Sequence, residues 1–442
     1  MKKINIVYLM LSFSLLQAMS LEQTVDLAIK HNNNLKKSYL DEKQSKLQKE
    51  SVKTSRYGKI DLLGSYDHYN NARTLVPLPP MQIASSPTGA YEIPTTKDMF
   101  SIGLSYSIML YDGNAQKNNY KISELSQANS ILKTKLAKEE LIYNIKTLYL
   151  TLLSLQKQLY ATKQYTLSQK KLRDMIEQKY KLGSKSKLDF LKAQNSFILS
   201  KSNEDKIVAN TEIIKANISL LIGGKEFDKA EDISVDIVNT KVYNHDIENL
   251  KKFKLIRFKT NIASKKLQKI ESLYYPQISL NTYLGYNFGP NDTTNTSPLT
   301  NMTYINSGDF NYKSNWQIGL KFRWNIFDFG SRDAVLEKNR VAVQSMKIEE
   351  IQTKIEIEKN LKNANSKLEL AKADYNSAKS EYGLLTEIVK AEVVKYENNM
   401  ITLDDLLLSK AKKNVSYMKL ISSKYEYQKI KYYIEYLYEK GE

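Results

Sequence analysis

Two stretches of this chain, "SIGLSYSIMLYDG" at residues 101–113 and "QIGLKFRWNIFDF" at residues 317–329, repeat one pattern. Ile102 matches Ile318, Gly103 matches Gly319, Leu104 matches Leu320 and Asp112 matches Asp328, each 216 residues on. The same interval separates Tyr180 from Tyr396, Asp189 from Asp405 and Leu191 from Leu407. The 442 residues therefore read as two halves with no net insertion or deletion between landmarks. Shared length predicts a shared dimension, as if both copies must reach the same depth.

What lies between the landmarks is helical. Residues 114–179 hold neither proline nor glycine, and Leu141, Ile145, Leu148, Leu152, Leu155 and Leu159 step by 4, 3, 4, 3, 4. That is the seam of a coiled coil. In the second half Ile357, Leu361, Ala364, Leu368, Ala371, Tyr375, Ala378, Tyr382, Leu385 and Val389 take the same steps. Their alanines let another backbone approach closely. A helix of about 65 residues would be ~100 Å long at 1.5 Å per residue, which points to a rod or tube. Shorter helices are expected near residues 187–221 and 403–438 after the turns, and near 35–55 and 247–273 before the strands.

Four segments alternate with period two. Phe100, Ile102, Leu104, Tyr106, Ile108 and Leu110 face away from Ser101, Gly103, Ser105 and Ser107. Trp316, Ile318, Leu320, Phe322, Trp324 and Ile326 alternate with Gln317, Gly319, Lys321, Arg323 and Asn325. Residues 276–288 repeat the theme, and residues 58–70 do so weakly. Strands of ~10–13 residues cross a bilayer when tilted. Their tryptophans suit interfacial girdles, and the Pro/Thr/Asn/Ser-rich stretches 72–98 and 290–314 read as outer loops of two hairpins. Four strands cannot close a membrane barrel, whose smallest examples have about 8, and open edges in lipid are costly. The chain must oligomerise. Two copies give 8 strands and three give 12; four helical columns per protomer favour three, because a dimer's eight columns would leave a narrow pore.

The first 20 residues, "MKKINIVYLMLSFSLLQAMS", read as an export signal: Lys2 and Lys3, a short apolar core, then small residues Ala18 and Ser20 for cleavage. Composition excludes much else. There is no cysteine, so no disulfide, thiolate metal site or cysteine nucleophile. His31, His68 and His245 lie far apart, and no catalytic or nucleotide-binding motif is present. Neither an enzyme nor a cofactor is expected. The formal charge of +18 is spread over helix faces with interspersed glutamates, which argues against nucleic acid.

In this order, "SLEQTVDLAIKHNNNLK" near the start, "YDG" and "FDFG" at strand-to-helix junctions and "KYKLGSKSKLDFLKAQ" at residues 179–194, the chain resembles the TolC-like outer-membrane efflux proteins over essentially its whole mature length. The resemblance implies an α+β membrane protein: a long antiparallel coiled-coil α-barrel plus four transmembrane β-strands per protomer, closed as a 12-stranded barrel in a homotrimer. It implies a passive exit duct in the outer membrane, extending into the periplasm. The duct would serve a tripartite efflux or type I secretion system with a periplasmic adaptor and an inner-membrane RND or ABC transporter. The alternative from another class is a coiled-coil adhesin.

The expected organisation is a signal at 1–20 and a first repeat at 21–222, with strands 57–71 and 99–111, a long helix 113–181 and a return helix 187–221. A linker follows at 223–246. The second repeat spans 247–442, with strands 275–289 and 315–327, a long helix 330–397 and a return helix 403–438. At the turns Gly183 and Asn399 match as helix stops, and Ser186…Asp189 matches Thr402…Asp405 as a helix start. The resemblance adds a role. Family members narrow here through tip aspartates and a tyrosine, which makes Asp189, Tyr396, Asp404 and Asp405 candidates for a pore constriction, and a carboxylate ring favours cations. Two departures stand out: the family's arginine five residues after the tyrosine is Ile401, and its second acid is Leu408. Gly183, Lys185, Asn399 and Met400 are candidate adaptor contacts by position. Lys321 and Arg323, alternating with the apolar set, should face the barrel lumen. Asp112 and Asp328 should cap the long helices.

Overall fold

The two hydrophobic periods sort the chain into long helices and one sheet. The computed structural model describes residues 18–77, 95–235, 237, 246–290 and 311–440. In chain order the elements are α1 (Leu21–His31), α2 (Asn33–Thr54), β1 (Lys59–Thr74), β2 (Thr95–Tyr111), α3 (Ala115–Lys181), α4 (Lys187–Leu221), α5 (Lys251–Glu271), β3 (Gln277–Gly289), β4 (Asn311–Arg323), α6 (Ser331–Glu397) and α7 (Leu403–Leu437). Helices α3 and α6 each have 67 residues, α4 and α7 each have 35, and every boundary recurs 216 residues later. No described helix is long and apolar enough to cross a membrane. Most of the proposed signal, the centres of both outer loops and His245 lie outside the described residues.

The chain divides into two units. One comprises Met1–Glu42, Asn129–Arg257 and Glu349–Glu442. Its largest core gathers Ile145, Tyr149, Leu150, Leu152 and Leu153 of α3 with Ala28, Leu35, Ile218, Ile222, Phe227, Ala230, Ile421 and Tyr425. The buried Tyr149 hydroxyl lies 2.7 Å from the Met19 carbonyl and 2.8 Å from that of Glu231, and burial pushes its pKa up to about 12. Along α6 every residue of the expected seam is buried or half-buried, from Ile357 to Val389. On α3 the buried surface is wider than the seam, since Ile142, Tyr149, Leu150 and Leu153 are buried beside Leu141, Ile145 and Leu152.

The other unit comprises Lys43–Ala128 and Phe258–Ile348, and holds the sheet. Its four strands run antiparallel in the order β1-β2-β3-β4. Cross-strand rows such as Leu62–Leu104–Leu284–Trp316 and Ile60–Tyr106–Thr282–Ile318 lie on one face. The next row, Asp61–Ser105–Tyr283–Gln317, lies on the other. There the Tyr283 ring covers the paired glycines Gly103 and Gly285; a Cβ at either would come within 2.6 Å of its hydroxyl.

Several expected boundaries need correction. The first half opens on two helices from Leu21, not one short helix near residue 35. Asn32 separates them: its Oδ1 accepts the Leu35 N–H at 2.9 Å, and its Nδ2 donates to the Leu221 carbonyl at 3.0 Å. Residues 55–57 and 272–274 form 3-10 turns, so β1 and β3 start at Lys59 and Gln277. Strand β4 ends at Arg323, before Trp324 and Ile326, because Arg323 pairs with Gln277, the first residue of β3. Beyond it the Trp324 indole donates to the Tyr274 carbonyl at 3.1 Å, and Arg332 donates to the carbonyls of Asn325 and Ile326. Asp112 and Asp328 accept the N–H of Gln116 (2.8 Å) and Arg332 (3.2 Å), so both cap the long helices.

Candidate functional site

Helix ends leave carbonyl and N–H groups without partners, and the two turns that reverse the chain satisfy them identically. Gly183 (φ 73°) and Asn399 (φ 56°) take the left-handed conformation. Their N–H groups donate to the carbonyls of Tyr180 and Tyr396 at 2.9 and 3.0 Å. The next N–H groups, of Ser184 and Met400, reach Lys179 and Lys395 at 2.8 Å each, which completes a Schellman stop. The restart is also shared. Ser186 Oγ accepts the Asp189 N–H at 3.0 Å while Asp189 Oδ2 accepts the Ser186 N–H at 3.2 Å. Thr402 and Asp405 repeat this at 3.2 and 3.0 Å, and the Thr402 hydroxyl also donates to Asp405 at 2.6 Å.

Both aspartates are thus committed to capping boxes. The hydroxyl and then the backbone N–H of Thr402 hold the Asp405 carboxyl below the ordinary carboxylate range. A depressed pKa contributes above the unfolded value and is lost as pH falls through the folded one. Amide protection in the first turn of α7, taken relative to the intrinsic exchange rate at each pH, is therefore expected to stay flat down to about pH 4 and to fall below it; Thr402→Ala should abolish that step.

A small core binds the two hairpins at this end: Leu172, Ile176, Ala193, Tyr396, Leu403, Leu406 and Leu407, with Phe190, Val393 and Ile401 packed against it. Ile401 thus contributes packing where the resemblance implies an arginine. Tyr396 is buried, and its hydroxyl finds no hydrogen-bond partner among the described residues. The Lys185 ammonium lies 5.3 Å from the centre of its ring. Asp404 does not cap. It pairs with Lys192 of the other hairpin. Sequence reasoning missed Lys192, although a signal existed: it is the repeat partner of Leu408, so one copy carries a charge where the other is apolar. Gly183, Asn399 and Met400 are exposed, as is Leu408.

The sheet supplies the second functional surface. Leu62, Leu104, Leu284, Trp316, Ile318, Leu320 and Phe322 are largely exposed, with Ile318, Leu320 and Trp316 near 70%. Lys321 and Arg323 lie on the opposite face, in the rows of Ser279 and Gln277. A sheet with one apolar face open across all four strands fits lipid on that face and water on the other.

Residues 24–224 match the sequence model of the family described as outer membrane efflux protein. No curated protein matches the sequence. Among solved structures the chain is similar to the Campylobacter jejuni CmeC outer membrane channel, at 17% identity and a TM-score of 0.75 over 95% of this chain and 86% of that one. It is similar to the open state of the Neisseria gonorrhoeae MtrE outer membrane channel, at 13% identity and a TM-score of 0.73 over 95% and 89%. It is also similar to the outer membrane protein VceC of Vibrio cholerae, at 13% identity and a TM-score of 0.72 over 94% and 95%. At such identities the likeness is one of fold.

Proposed function

We infer that this chain is an outer membrane efflux protein, with the family's sequence pattern in its first half and the fold of outer-membrane channels along nearly all its length. It is an outer-membrane exit duct for an efflux system and extends into the periplasm. The observation that carries this reading is the four-stranded sheet with an exposed apolar face.

Three copies build the duct. Among the described residues the outer edges of β1 and β4 pair with no strand, and bare edges in lipid cost several kcal/mol per polar group. Three sheets of four supply a 12-stranded barrel. The export signal lies within residues 1–20. Lys321 and Arg323 face the lumen. The duct is passive; a periplasmic adaptor and an inner-membrane RND or ABC transporter supply the energy, and the adaptor meets the tips near Gly183, Lys185, Asn399 and Met400. Native mass measurement in detergent is expected to give a trimer, and a monomer or dimer would count against this assembly.

Asp189, Tyr396, Asp404 and Asp405 form the constriction at the tips, with Asp404 held by Lys192. Replacing Asp404 and Asp405 together by alanine is expected to lower cation selectivity in planar bilayers. Thr402→Ala, which removes the cap and keeps both charges, is the control. Unchanged selectivity in the double variant would leave Asp405 a helix cap and Asp404 an ion-pair partner of Lys192.

A further inference from the structure

We propose that the export signal is cut between Ala18 and Met19, so that the mature chain begins at Met19. The inference rests on reading residues 1–20 as a cleaved signal. The sequence leaves two cuts open. A cut after Ser20 puts the small residues Ala18 and Ser20 at both positions that signal peptidases inspect, whereas a cut after Ala18 puts Leu16 at one of them. Sequence rules alone therefore favour Ser20. The fold points to Ala18.

Met19 is part of the folded unit. It forms a parallel bridge with Ala230. Its N–H donates to the Lys229 carbonyl and its carbonyl accepts the Glu231 N–H, both at 3.0 Å. The same carbonyl lies 2.7 Å from the buried hydroxyl of Tyr149. Ser20 is equally engaged. Its Oγ accepts the Gln23 N–H at 3.2 Å, and its N–H donates to Gln23 Oε1 at 3.1 Å. Its carbonyl accepts from the buried Thr24, through the N–H at 3.1 Å and the hydroxyl at 2.8 Å.

A cut after Ser20 deletes every one of these bonds. The Lys229 carbonyl and the Glu231 N–H lose their partner, and α1 loses its capping box. It also places the new ammonium of Leu21 on the positive end of the helix dipole, where cations are disfavoured. A cut after Ala18 deletes none. Water adds across the Ala18–Met19 peptide bond: its hydroxyl goes to the Ala18 carbonyl carbon and its proton to the Met19 nitrogen. The resulting ammonium still has N–H groups to donate to Lys229, now as a charge-assisted bond. The peptidase, a membrane-bound enzyme acting before folding, does not read these contacts. They decide which product is fit to fold.

The test is the N-terminus of protein recovered from the outer-membrane fraction of a host exporting the full chain, read by intact mass and N-terminal peptide sequencing. Met19 as first residue is the expected result. Leu21 as first residue overturns the proposal and leaves the reading of a cleaved signal standing. Met1 as first residue overturns both. A second measurement compares chains exported on foreign leaders that release either Met19 or Leu21. The Leu21-first chain is expected to melt several degrees lower; equal melting would overturn the role given to Met19 and Ser20.

Discussion

Replacing Leu104 by arginine is expected to strip this protein from the outer membrane, while the same change one residue on, at Ser105, leaves insertion intact. Leu104 sits in the middle of the apolar row Leu62–Leu104–Leu284–Trp316. An arginine on the lipid face costs about 2–4 kcal/mol near the bilayer midplane, and the proposed assembly of three copies would incur that cost three times. Ser105 belongs to the row Asp61–Ser105–Tyr283–Gln317, which already carries polar groups, so a guanidinium there stays in water. Outer-membrane fractionation and heat-modifiable migration on gels measure both variants. Equal insertion of the two would remove the assignment of faces, and with it the barrel.

The second large effect concerns the helical unit. Ile145→Ala is expected to destabilise it by about 2–5 kcal/mol, the range for truncating a buried isoleucine where the surroundings cannot close the gap. Ile145 is fully buried among side chains of four helices and residues 227–230. The internal repeat provides a matched control. The equivalent of Ile145 is Leu361, which is only half-buried, so Leu361→Ala should cost distinctly less although it deletes the same kind of group. Thermal unfolding of the two variants in one detergent decides the point. A larger loss at Leu361 would mean that the cores of the two halves have been assigned the wrong way round.

The long helices were legible because proline, glycine and seam steps are local signals. So were the turns: Gly183, Asn399, Ser186 and Thr402 act on backbone groups within five residues, and capping chemistry does not depend on the rest of the fold. The wider buried face of α3 was not legible. A 3-4 seam anticipates one partner helix, whereas α3 packs against α1, α2, α4, α7 and the stretch after α4 at once. The end of β4 was hidden for a related reason. Alternation continues through Trp324 and Ile326, but a strand lasts only as long as its neighbour, and β3 begins at Gln277. At the tip the sequence displayed the aspartates without their occupations. Asp405 could be read as a cap from its neighbour Thr402, while Asp404 required Lys192, which is 212 residues away.

The constant interval of 216 residues has a consequence for how such a chain can change. Each turn is levelled against the other, with Lys192 and Phe190 of the first meeting Asp404 and Tyr396 of the second. Deleting seven residues from α3 and its return helix would keep the faces in phase and still withdraw one turn by about 10 Å, at 1.5 Å per residue. No side chain spans that gap. A deletion confined to one half is therefore expected to separate the two turns, whereas a matched pair, one in each half, keeps them level. The two copies agree in length far better than in sequence.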